Sequence, residues 1–314
     1  MTDSPPPEAA PDRWVAVCVS PVSPSHASKV LRDALQAAGA TNGAGMSLRE
    51  LGGHAEEFAA EVELPPSAPP VDVMRDALRE AAGTGADMAL VPAANRRKRL
   101  LICDMDSTII AQECLDELAD FAGLKAQVSA ITERAMRGEL DFEAALTTRV
   151  AMLEGLSLDA LDACYTARIR LNPGAATLVA TMKAKGAHTW LVSGGFTFFT
   201  ERVASTAGFE THRGNTLLDD GERLTGAVGQ PILGREAKLD ALKSATGEAG
   251  LIPADALALG DGANDLAMIC AAGLGIAYRA KPIVAADADA AINVCSLTAA
   301  LFYQGIPAEE FVTA

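Results

Sequence analysis

The pattern of apolar and polar positions in the first 94 residues predicts four strands and two helices. Alternating or β-branched apolar runs indicate strands at residues 14–19, 44–51, 56–64 and 88–92. Apolar residues at helical spacing indicate helices at residues 25–38 and 71–82. The resulting order, β-α-β-β-α-β, is that of the ferredoxin-like α+β fold. Because this stretch has no phosphate-binding loop and no paired carboxylates, we predict that residues 1–94 form a structural or regulatory domain.

From residue 95 onward the pattern changes to fully apolar strands that alternate with helices. Strands are predicted at residues 100–103, 189–192 and 256–259, and later apolar runs at 273–277 and 290–294 can add two more. Apolar strands that are each followed by a helix indicate a parallel sheet covered on both faces, with its site at the carboxyl ends of the strands. We therefore predict a doubly wound, mostly parallel, Rossmann-like α/β domain over residues 95–314.

Two segments interrupt this alternation. Residues 112–167, directly after the first strand of the second domain, form a long helical stretch rich in Ala, Leu and Glu. An insertion of this size at that place suits a helical cap that closes over a site. In residues 215–228, apolar residues flank Asp220-Gly221, which predicts a β-hairpin.

Composition narrows the choice of partners. The chain has 314 residues and a net charge of −15, so it lacks the broad basic surface that nucleic acid or an anionic membrane requires. We interpret the basic run at residues 96–99 as a solvated linker. Six cysteines without a Cys-x-x-Cys pair indicate small buried hydrophobes in a reducing compartment. No apolar run reaches the roughly 18 residues that a membrane span needs, so we expect a cytoplasmic protein.

Polar residues with complementary chemistry stand at the ends of three predicted strands. In chain order these residues are Asp104 and Asp106, then Ser193 and Gly194, then Asp261, Asn264 and Asp265. An isolated Asp-x-Asp is more often a turn at a strand end, but Lys238, near a predicted helix start, adds a cation to the set. This combination favours chemistry on a phosphoryl group over a structural turn.

An aspartate that attacks phosphorus needs a hard cation held by oxygen ligands and fixed donors on the phosphate oxygens. Asp104, Asp261 and the main-chain carbonyl of Asp106 can hold Mg²⁺. Lys238, the Ser193 hydroxyl and nearby backbone N–H groups can bind the phosphate. The sequence therefore meets each requirement of metal-assisted phosphoryl transfer.

These residues resemble, in the same order, the four motifs of the haloacid dehalogenase superfamily of phosphohydrolases. The matching segments are 104–108, 191–195, Lys238 and 260–265. The resemblance implies that Asp104 is a nucleophile that becomes an aspartyl phosphate, and that Asp106 protonates the leaving oxygen and later activates water. It also implies a catalytic Lys238 and a Mg²⁺ site formed by Asp104, Asp106, Asp261 and Asp265.

Within that superfamily the cap is similar to the phosphoserine phosphatase branch, through Glu113, residues 132–142 and Arg149. The similarity implies that Glu113 pairs with the substrate ammonium and Arg149 with its carboxylate, while Met136 and Phe142 exclude water. The implied substrate contacts are completed by Ser193, Gly194 and Asn264. The implied reaction is hydrolysis of O-phospho-L-serine to L-serine and phosphate, the last step of serine biosynthesis.

Other functions stay open at this stage. Little in the sequence measures the length of the substrate side chain, so a phosphatase or phosphotransferase for another small phosphorylated amino acid or alcohol is the nearest alternative. A catalytically idle amino-acid sensor is a different class, and the intact Asp104, Asp106, Lys238 and Asp261 count against it. The four histidines lie outside every motif, which argues against a zinc site or a Ser-His-Asp triad.

The first domain resembles the small amino-acid-binding ACT domains that accompany some phosphoserine phosphatases. The order of elements matches, but residues 23–26 stand where a Gly-containing ligand loop is expected. The resemblance implies a regulatory or assembly role, with a homodimer and an L-serine effector as its expected forms.

Overall fold

The computed structural model describes residues 13–40, 46–82, 85–136, 141–234 and 236–313. Contacts divide the chain into two compact units, one of Met1–Arg97 with Leu301–Glu309 and one of Lys98–Ala300 with Glu310–Ala314. The apolar pattern instead predicts a boundary at residue 94, with all later residues in the second domain. The difference arises because Phe302, Tyr303 and Ile306 are buried, and an apolar run near the end of a chain does not reveal which core it joins.

The first unit contains a four-stranded antiparallel sheet and two helices. Its elements in chain order are β1 (Trp14–Ser20), α1 (Pro24–Ala37), β2 (Leu48–His54), β3 (Glu57–Glu63), α2 (Val71–Ala82) and β4 (Asp87–Pro92). The strands lie in the order β2-β3-β1-β4, and all three pairs are antiparallel. Alternate residues of β1, such as Ala16 and Cys18, belong to the core that the sheet shares with both helices. This topology is that of the ferredoxin-like fold.

The strand β2 departs most from its predicted position. It begins at Leu48, not at residue 44, and residues 41–45 lie outside the described part of the chain. It continues to His54 because a bulge between Glu50 and Gly52 preserves its pairing with β3. Gly52 has a φ of +82°, a conformation that favours glycine. A bulge breaks the two-residue alternation, so the alternating pattern predicts too early an end for this strand.

The second unit is an α/β structure with a parallel sheet, as predicted. Its strands are β5 (Leu100–Cys103), β6 (His188–Phe196), β7 (Thr211–Asn215), β8 (Leu217–Asp219), β9 (Leu224–Val228), β10 (Ala256–Gly260), β11 (Leu274–Tyr278) and β12 (Ala290–Ile292). Six of them form one sheet in the order β12-β11-β10-β5-β6-β7, in which every described pair is parallel. Every residue of β5, β10 and β11 is buried, which explains their continuous apolar sequences.

After the cap, helices alternate with strands along the chain, and a last short helix follows the final strand. These helices are α7 (Ala175–Ala184), α8 (Thr197–Ala207), α9 (Ala237–Glu248), α10 (Leu266–Ala271), α11 (Pro282–Asp287) and the short α12 (Ala299–Tyr303), and the cap helices that precede them are α3 (Cys114–Phe121), α4 (Lys125–Met136), α5 (Phe142–Ala151) and α6 (Leu158–Arg168). The four cap helices lie between β5 and β6, so the predicted insertion is present.

The β8–β9 hairpin, predicted from Asp220-Gly221, is bonded to the cap. The Gly155 N–H donates to the Leu224 carbonyl at 2.8 Å, and the Leu158 N–H donates to the Glu222 carbonyl at 2.9 Å. The two chain segments that join the cap to the sheet also pair with each other through an isolated bridge between residues 110 and 171. The cap is therefore attached to the sheet domain by the hairpin as well as by its two linkers.

The interpretation of residues 96–99 as a solvated linker is wrong for two of the four. The Arg96 guanidinium lies 2.7 Å from Glu61 Oε2, and their side chains are 11% and 9% exposed. Arg96 also donates to the Tyr303 carbonyl at 2.7 Å. Lys98, in the second unit, is buried, and its Nζ donates to the Ala254 carbonyl at 2.8 Å. A run of positive charges does not disclose these acceptors because they lie far away in the sequence.

The cysteines are buried with one exception. Five of the six cysteines are buried as expected, but Cys270 is exposed, because the short α10 buries only Met268 and Ile269. In the part of the chain that the structure describes, no helix is long and apolar enough to cross a membrane.

Candidate active site

The turn after β5 carries the first two aspartates at the carboxyl edge of the parallel sheet. β5 lies between β10 and β6, so Asp104 leaves the sheet at its centre. The turn that follows, Met105–Ile109, is fixed from the second cap linker by Asn172. The Asn172 amide donates to the Thr108 carbonyl at 2.8 Å and to the Ile110 carbonyl at 3.0 Å. These bonds hold the turn without using a catalytic side chain.

A buried lysine lies between two carboxylates at the floor of the site. Lys238 is the second residue of α9, and its Nζ lies 2.7 Å from Asp104 Oδ1 and also binds Asp265 Oδ1. Burial alone lowers the pKa of Lys238, but the charges of Asp104 and Asp265 outweigh burial, so the pKa is raised. Burial and the charge of Asp265 raise the pKa of Asp104. The lysine therefore stays charged and partly offsets both anions.

The Asp106 carboxyl has hydrogen-bond partners of its own. Its Oδ1 accepts from the Cys114 N–H at 2.8 Å, and its Oδ2 accepts from the Ser193 hydroxyl at 3.1 Å. Burial raises the pKa of Asp106, and these two donors oppose the rise. Asp104 and Asp106, two residues apart, thus have different partners, as a nucleophile and an acid–base group require.

Three carboxylates form a cluster suited to a divalent cation. Asp104, Asp261 and Asp265 each offer an oxygen within 4.8 Å of the others. Oxygen donors of this kind are those that a hard cation prefers, and without one the charges repel. Burial and the charge of Asp265 raise the pKa of Asp261 to about 6. Asp106, whose main-chain carbonyl is the predicted metal ligand, contributes no carboxylate oxygen to this cluster.

Asp265 also shapes the loop in which Asp261 lies. Its Oδ2 accepts from the Gly262 N–H at 2.9 Å and from the Asp261 N–H at 3.2 Å. Because Oδ1 binds Lys238, both oxygens of this fully buried carboxylate have donors. Asp265 therefore orients the lysine and the Asp261 loop, in addition to lying in the acidic cluster.

The Ser193–Gly195 segment bulges out of β6 toward the aspartates. The β6–β7 register shifts between Val192 and Phe196. The Gly195 N–H donates to Ser193 Oγ at 2.8 Å, and the same hydroxyl donates to Asp106. A Cβ on Gly195 would lie 3.0 Å from Asp106 Oδ2, which explains why a glycine stands there. The bulge thus places the Ser193 hydroxyl beside the Asp106 carboxyl.

A pocket of about 160 Å³ opens above these groups, smaller than the roughly 300–1,000 Å³ typical of sites for drug-sized ligands. It is lined by Asp104, Asp106, Glu113, Leu115, Phe142, Leu146, Arg149, Ser193, Gly194, Gly195, Phe196, Lys238, Asp261 and Asn264. The catalytic and substrate-contacting residues predicted from the sequence are therefore brought together, with one exception. The side chain of Met136 lies outside the described residues, as do residues 137–140 of the matching cap segment.

Charged groups of opposite sign line the cap side of the pocket. Ser107, which has a φ of +55°, donates from its hydroxyl to Glu113 Oε1 at 2.7 Å. Burial within the pocket and the charge of Asp106 raise the pKa of Glu113 to about 7. Burial lowers the pKa of Arg149, whose nearby charges are Asp116 and Glu113. Among the described residues, no ion pair to Glu113 or Arg149 is found, so both charges remain available to a ligand.

Three residues that support the site have no predicted role in it. Thr108 lies in the matching segment 104–108 and donates to Asp261 Oδ1 at 3.3 Å. Asn172 fixes the turn after β5, and Asn215 contacts the bulge of β6. Each acts through partners at least 18 positions away, and neither asparagine belongs to a recognisable motif. A buried asparagine at a strand end or linker is the only hint, and it becomes visible once burial is known.

Comparison with known proteins agrees with this geometry. The family model described as haloacid dehalogenase-like hydrolase matches residues 101–269. A protein of Polaromonas sp. named phosphoserine phosphatase is 50% identical over 200 residues, which are 62% of this chain and 85% of that protein. The family model matches 169 residues, which are more than half of the 314-residue chain.

Solved structures extend the similarity. A HAD family hydrolase from Salmonella enterica serovar Typhi aligns with a TM-score of 0.82 at 29% identity, covering 93% of this chain and 98% of that one. A structure described as a phospho-aspartyl intermediate analogue of phosphoserine phosphatase aligns with a TM-score of 0.61 at 35% identity, covering 66% of this chain and 99% of that one. The first of these matches extends over both units of the present chain.

Proposed function

The chain belongs to the family of haloacid dehalogenase-like hydrolases, and from this premise we propose that it is a Mg²⁺-dependent phosphatase that converts O-phospho-L-serine to L-serine and phosphate. One observation carries the proposal. A lysine that bridges two buried aspartates lies at the floor of a small pocket whose cap side carries Glu113 and Arg149. Such a pocket has a site for a phosphate and separate partners for an ammonium and a carboxylate group.

In the proposed reaction Asp104 is the nucleophile. One of its carboxylate oxygens attacks phosphorus, the bond from phosphorus to the serine oxygen breaks, and Asp106 gives its proton to that oxygen. Asp106 then takes a proton from water, whose oxygen attacks phosphorus and releases phosphate from Asp104. The raised pKa of Asp106 supports this role because the group must be protonated in one half of the cycle and ionised in the other.

The acidic cluster fits a magnesium ion. Asp104, Asp261 and Asp265 would hold it, together with the main-chain carbonyl of Asp106. When bound, Mg²⁺ lowers the repulsion between the anionic phosphate and the carboxylates. Lys238, the Ser193 hydroxyl, the Gly194 backbone and Asn264 would bind the remaining phosphate oxygens.

Selection of the amino acid is assigned to the cap. Glu113 would pair with the ammonium group and Arg149 with the carboxylate in a two-point contact. Phe142, which is 38% exposed, would cover the ligand and exclude water, with Met136 in the same role. The small cavity favours a substrate the size of one phosphorylated amino acid.

A phosphate-release assay on a panel of esters tests this function. Phosphoserine, phosphothreonine, phosphoethanolamine and p-nitrophenyl phosphate are compared with and without Mg²⁺. We expect phosphoserine to give the highest kcat/KM and Mg²⁺ to be required. A preference for phosphoethanolamine would support the alternative of a phosphorylated alcohol. Transfer of the phosphoryl group to an added alcohol other than serine, faster than to water, would support a phosphotransferase.

For the first unit we propose a regulatory or assembly role. Its sheet has β2 at one edge, and a sheet edge can pair with a second copy of the chain. L-serine is the proposed effector because a reaction product is a suitable signal. Light scattering and a serine titration of the full chain test both proposals. A monomer whose activity is insensitive to serine, apart from simple product inhibition, would contradict them.

A further inference from the structure

One buried polar side chain beside the site has no part in the proposed reaction. Asn215, the last residue of β7, is 2% exposed. Its Nδ2 donates to the Gly194 carbonyl at 2.8 Å and to the Leu233 carbonyl at 3.4 Å, and its Oδ1 accepts from the Leu233 N–H at 2.7 Å. These partners fix the orientation of the amide, because an N–H can only donate and a carbonyl can only accept. Asn215 therefore connects two separate backbone segments.

Both segments lead to groups that would bind phosphate. Gly194 follows Ser193 in the bulge of β6, and Leu233 belongs to the stretch that leads to Lys238 at the start of α9. Within the described residues, Asn215 is thus the side chain that bonds one of these segments to the other. A shift of either segment would move one phosphate-binding group relative to the other.

The bulge also needs such a contact for its own geometry. Val192 pairs with Arg213 and Phe196 pairs with Asn215, so four steps along β6 oppose two steps along β7. The Ser193–Gly195 segment therefore leaves the ladder, and its backbone groups need other partners. The Asn215 amide supplies one of them to the Gly194 carbonyl. The side chain thus holds the bulge in the shape that aims Ser193 at Asp106.

We propose that Asn215 is a positioning residue that holds residues 193–195 in register with Leu233, five positions before Lys238, for phosphate binding. The inference rests on the proposed phosphatase function and assigns a further residue to it. Asn215 touches neither the acidic cluster nor Glu113 or Arg149 in the described contacts, so its loss should affect the phosphate and not the metal or the amino-acid end.

Two variants of the full chain test the proposal. Asn215→Asp keeps the shape and the acceptor for the Leu233 N–H, but it opposes an oxygen to the Gly194 carbonyl. Asn215→Ser is the milder change, since it keeps a small hydroxyl. Thr181→Val is the matched control, because Thr181 is equally buried and its hydroxyl accepts only from the Val312 N–H in the described contacts.

The measurements separate phosphate binding from stability. Calorimetric titration with inorganic phosphate should give a Kd about tenfold higher for Asn215→Asp, which corresponds to about 1.4 kcal/mol, and a smaller rise for Asn215→Ser. The KM values for phosphoserine and p-nitrophenyl phosphate should rise together, while the Mg²⁺ concentration for half-maximal activity stays unchanged. Thr181→Val should lower the melting temperature without moving the phosphate Kd.

Three results would overturn the proposal. The first is a wild-type phosphate Kd in a folded Asn215→Asp protein. The second is failure of both variants to fold, which would assign Asn215 to folding alone. The third is an equal rise in Kd in the Thr181→Val control. A wild-type protein that binds phosphate but does not hydrolyse phosphoserine would instead contradict the proposed function, and the comparison of phosphate Kd values would still decide the role of Asn215.

Discussion

The floor and the cap side of the pocket are built from different parts of the second unit, and they differ in whether their charges are already paired. At the floor, Asp104, Asp265 and Lys238 are buried and already paired with one another. On the cap side, Glu113 directly precedes α3 and Arg149 lies in α5, and no described ion pair joins either of them to another residue. The floor charges stabilise the site itself, whereas the cap charges remain free for a ligand. We therefore expect the floor to determine the chemistry and the cap to determine the substrate.

Substitution of the proposed nucleophile should have the largest effect. Asp104→Asn removes the attacking oxygen and a metal ligand, and it leaves Lys238 with one carboxylate fewer. We expect activity to fall by more than about a thousandfold on every substrate. Asp120→Asn, in the cap outside the pocket, is the matched control and should keep its activity. Residual activity of a few per cent in a folded Asp104→Asn protein would contradict covalent catalysis by this residue.

Substitutions on the cap side should change the substrate preference instead. Arg149→Ala and Glu113→Ala each remove one partner of a proposed charge pair with the amino acid. The kcat/KM for phosphoserine should therefore fall by a factor that corresponds to about 2–5 kcal/mol. The effect on p-nitrophenyl phosphate, which has neither an ammonium nor a carboxylate, should be much smaller. Arg168→Ala, in the cap but not among the residues that line the pocket, serves as the control. Equal losses on both substrates would show that these residues support the cap without contacting the amino acid.

The raised pKa of Glu113 predicts a further difference between the substrates. Glu113 must be ionised to pair with an ammonium group, and below its pKa of about 7 it becomes neutral. The kcat/KM for phosphoserine, divided by that for p-nitrophenyl phosphate, should therefore fall as the pH decreases through 7. The ratio removes effects that both phosphate esters share. In Glu113→Gln the ratio should be low and independent of pH, and an unchanged slope in that variant would assign the titration to another group.

The smallest effect on catalysis is expected far from the pocket. Arg96→Ala removes one buried partner of Glu61 and the bond to the Tyr303 carbonyl. Because Arg49 still pairs with Glu61, we expect the first unit to lose about 1–3 kcal/mol of stability. The kcat for phosphoserine at low temperature should stay close to wild type, because the chemistry lies in the second unit. Thermal unfolding and kcat are measured together, with the exposed Arg32→Ala as the control. A large loss of kcat in a folded Arg96→Ala protein would contradict this division of roles.

Much of the floor could be predicted because its signals are local. Asp104 and Asp106 directly follow an apolar strand, and a parallel sheet brings the ends of such strands together. Asp261 could be placed for the same reason, because it directly follows β10, and Lys238 could be placed because it stands near a predicted helix start. The sequence does not predict that Asp106 faces the Cys114 N–H while Asp104 faces Lys238. That difference depends on how the turn after β5 is held.

The parts that could not be predicted depend on partners far apart in the sequence. Arg96 looks solvated until Glu61 and the carbonyl groups of the C-terminal segment surround it. Asn215 looks like the start of a hairpin, and its role emerges only from the bulge at Gly194. Polar side chains satisfied by distant backbone groups leave no periodicity, so the three-dimensional structure is required to find them.

The central claim, that Asp104 becomes phosphorylated during turnover, can be tested most directly by trapping the intermediate. The protein is mixed with phosphoserine labelled on phosphorus, quenched in acid after milliseconds, digested and analysed by mass spectrometry. We predict an acid-stable, hydroxylamine-sensitive label on the peptide that contains Asp104, with no label in Asp104→Asn. A label on Ser193, or full turnover with no labelled peptide at any quench time, would contradict the account.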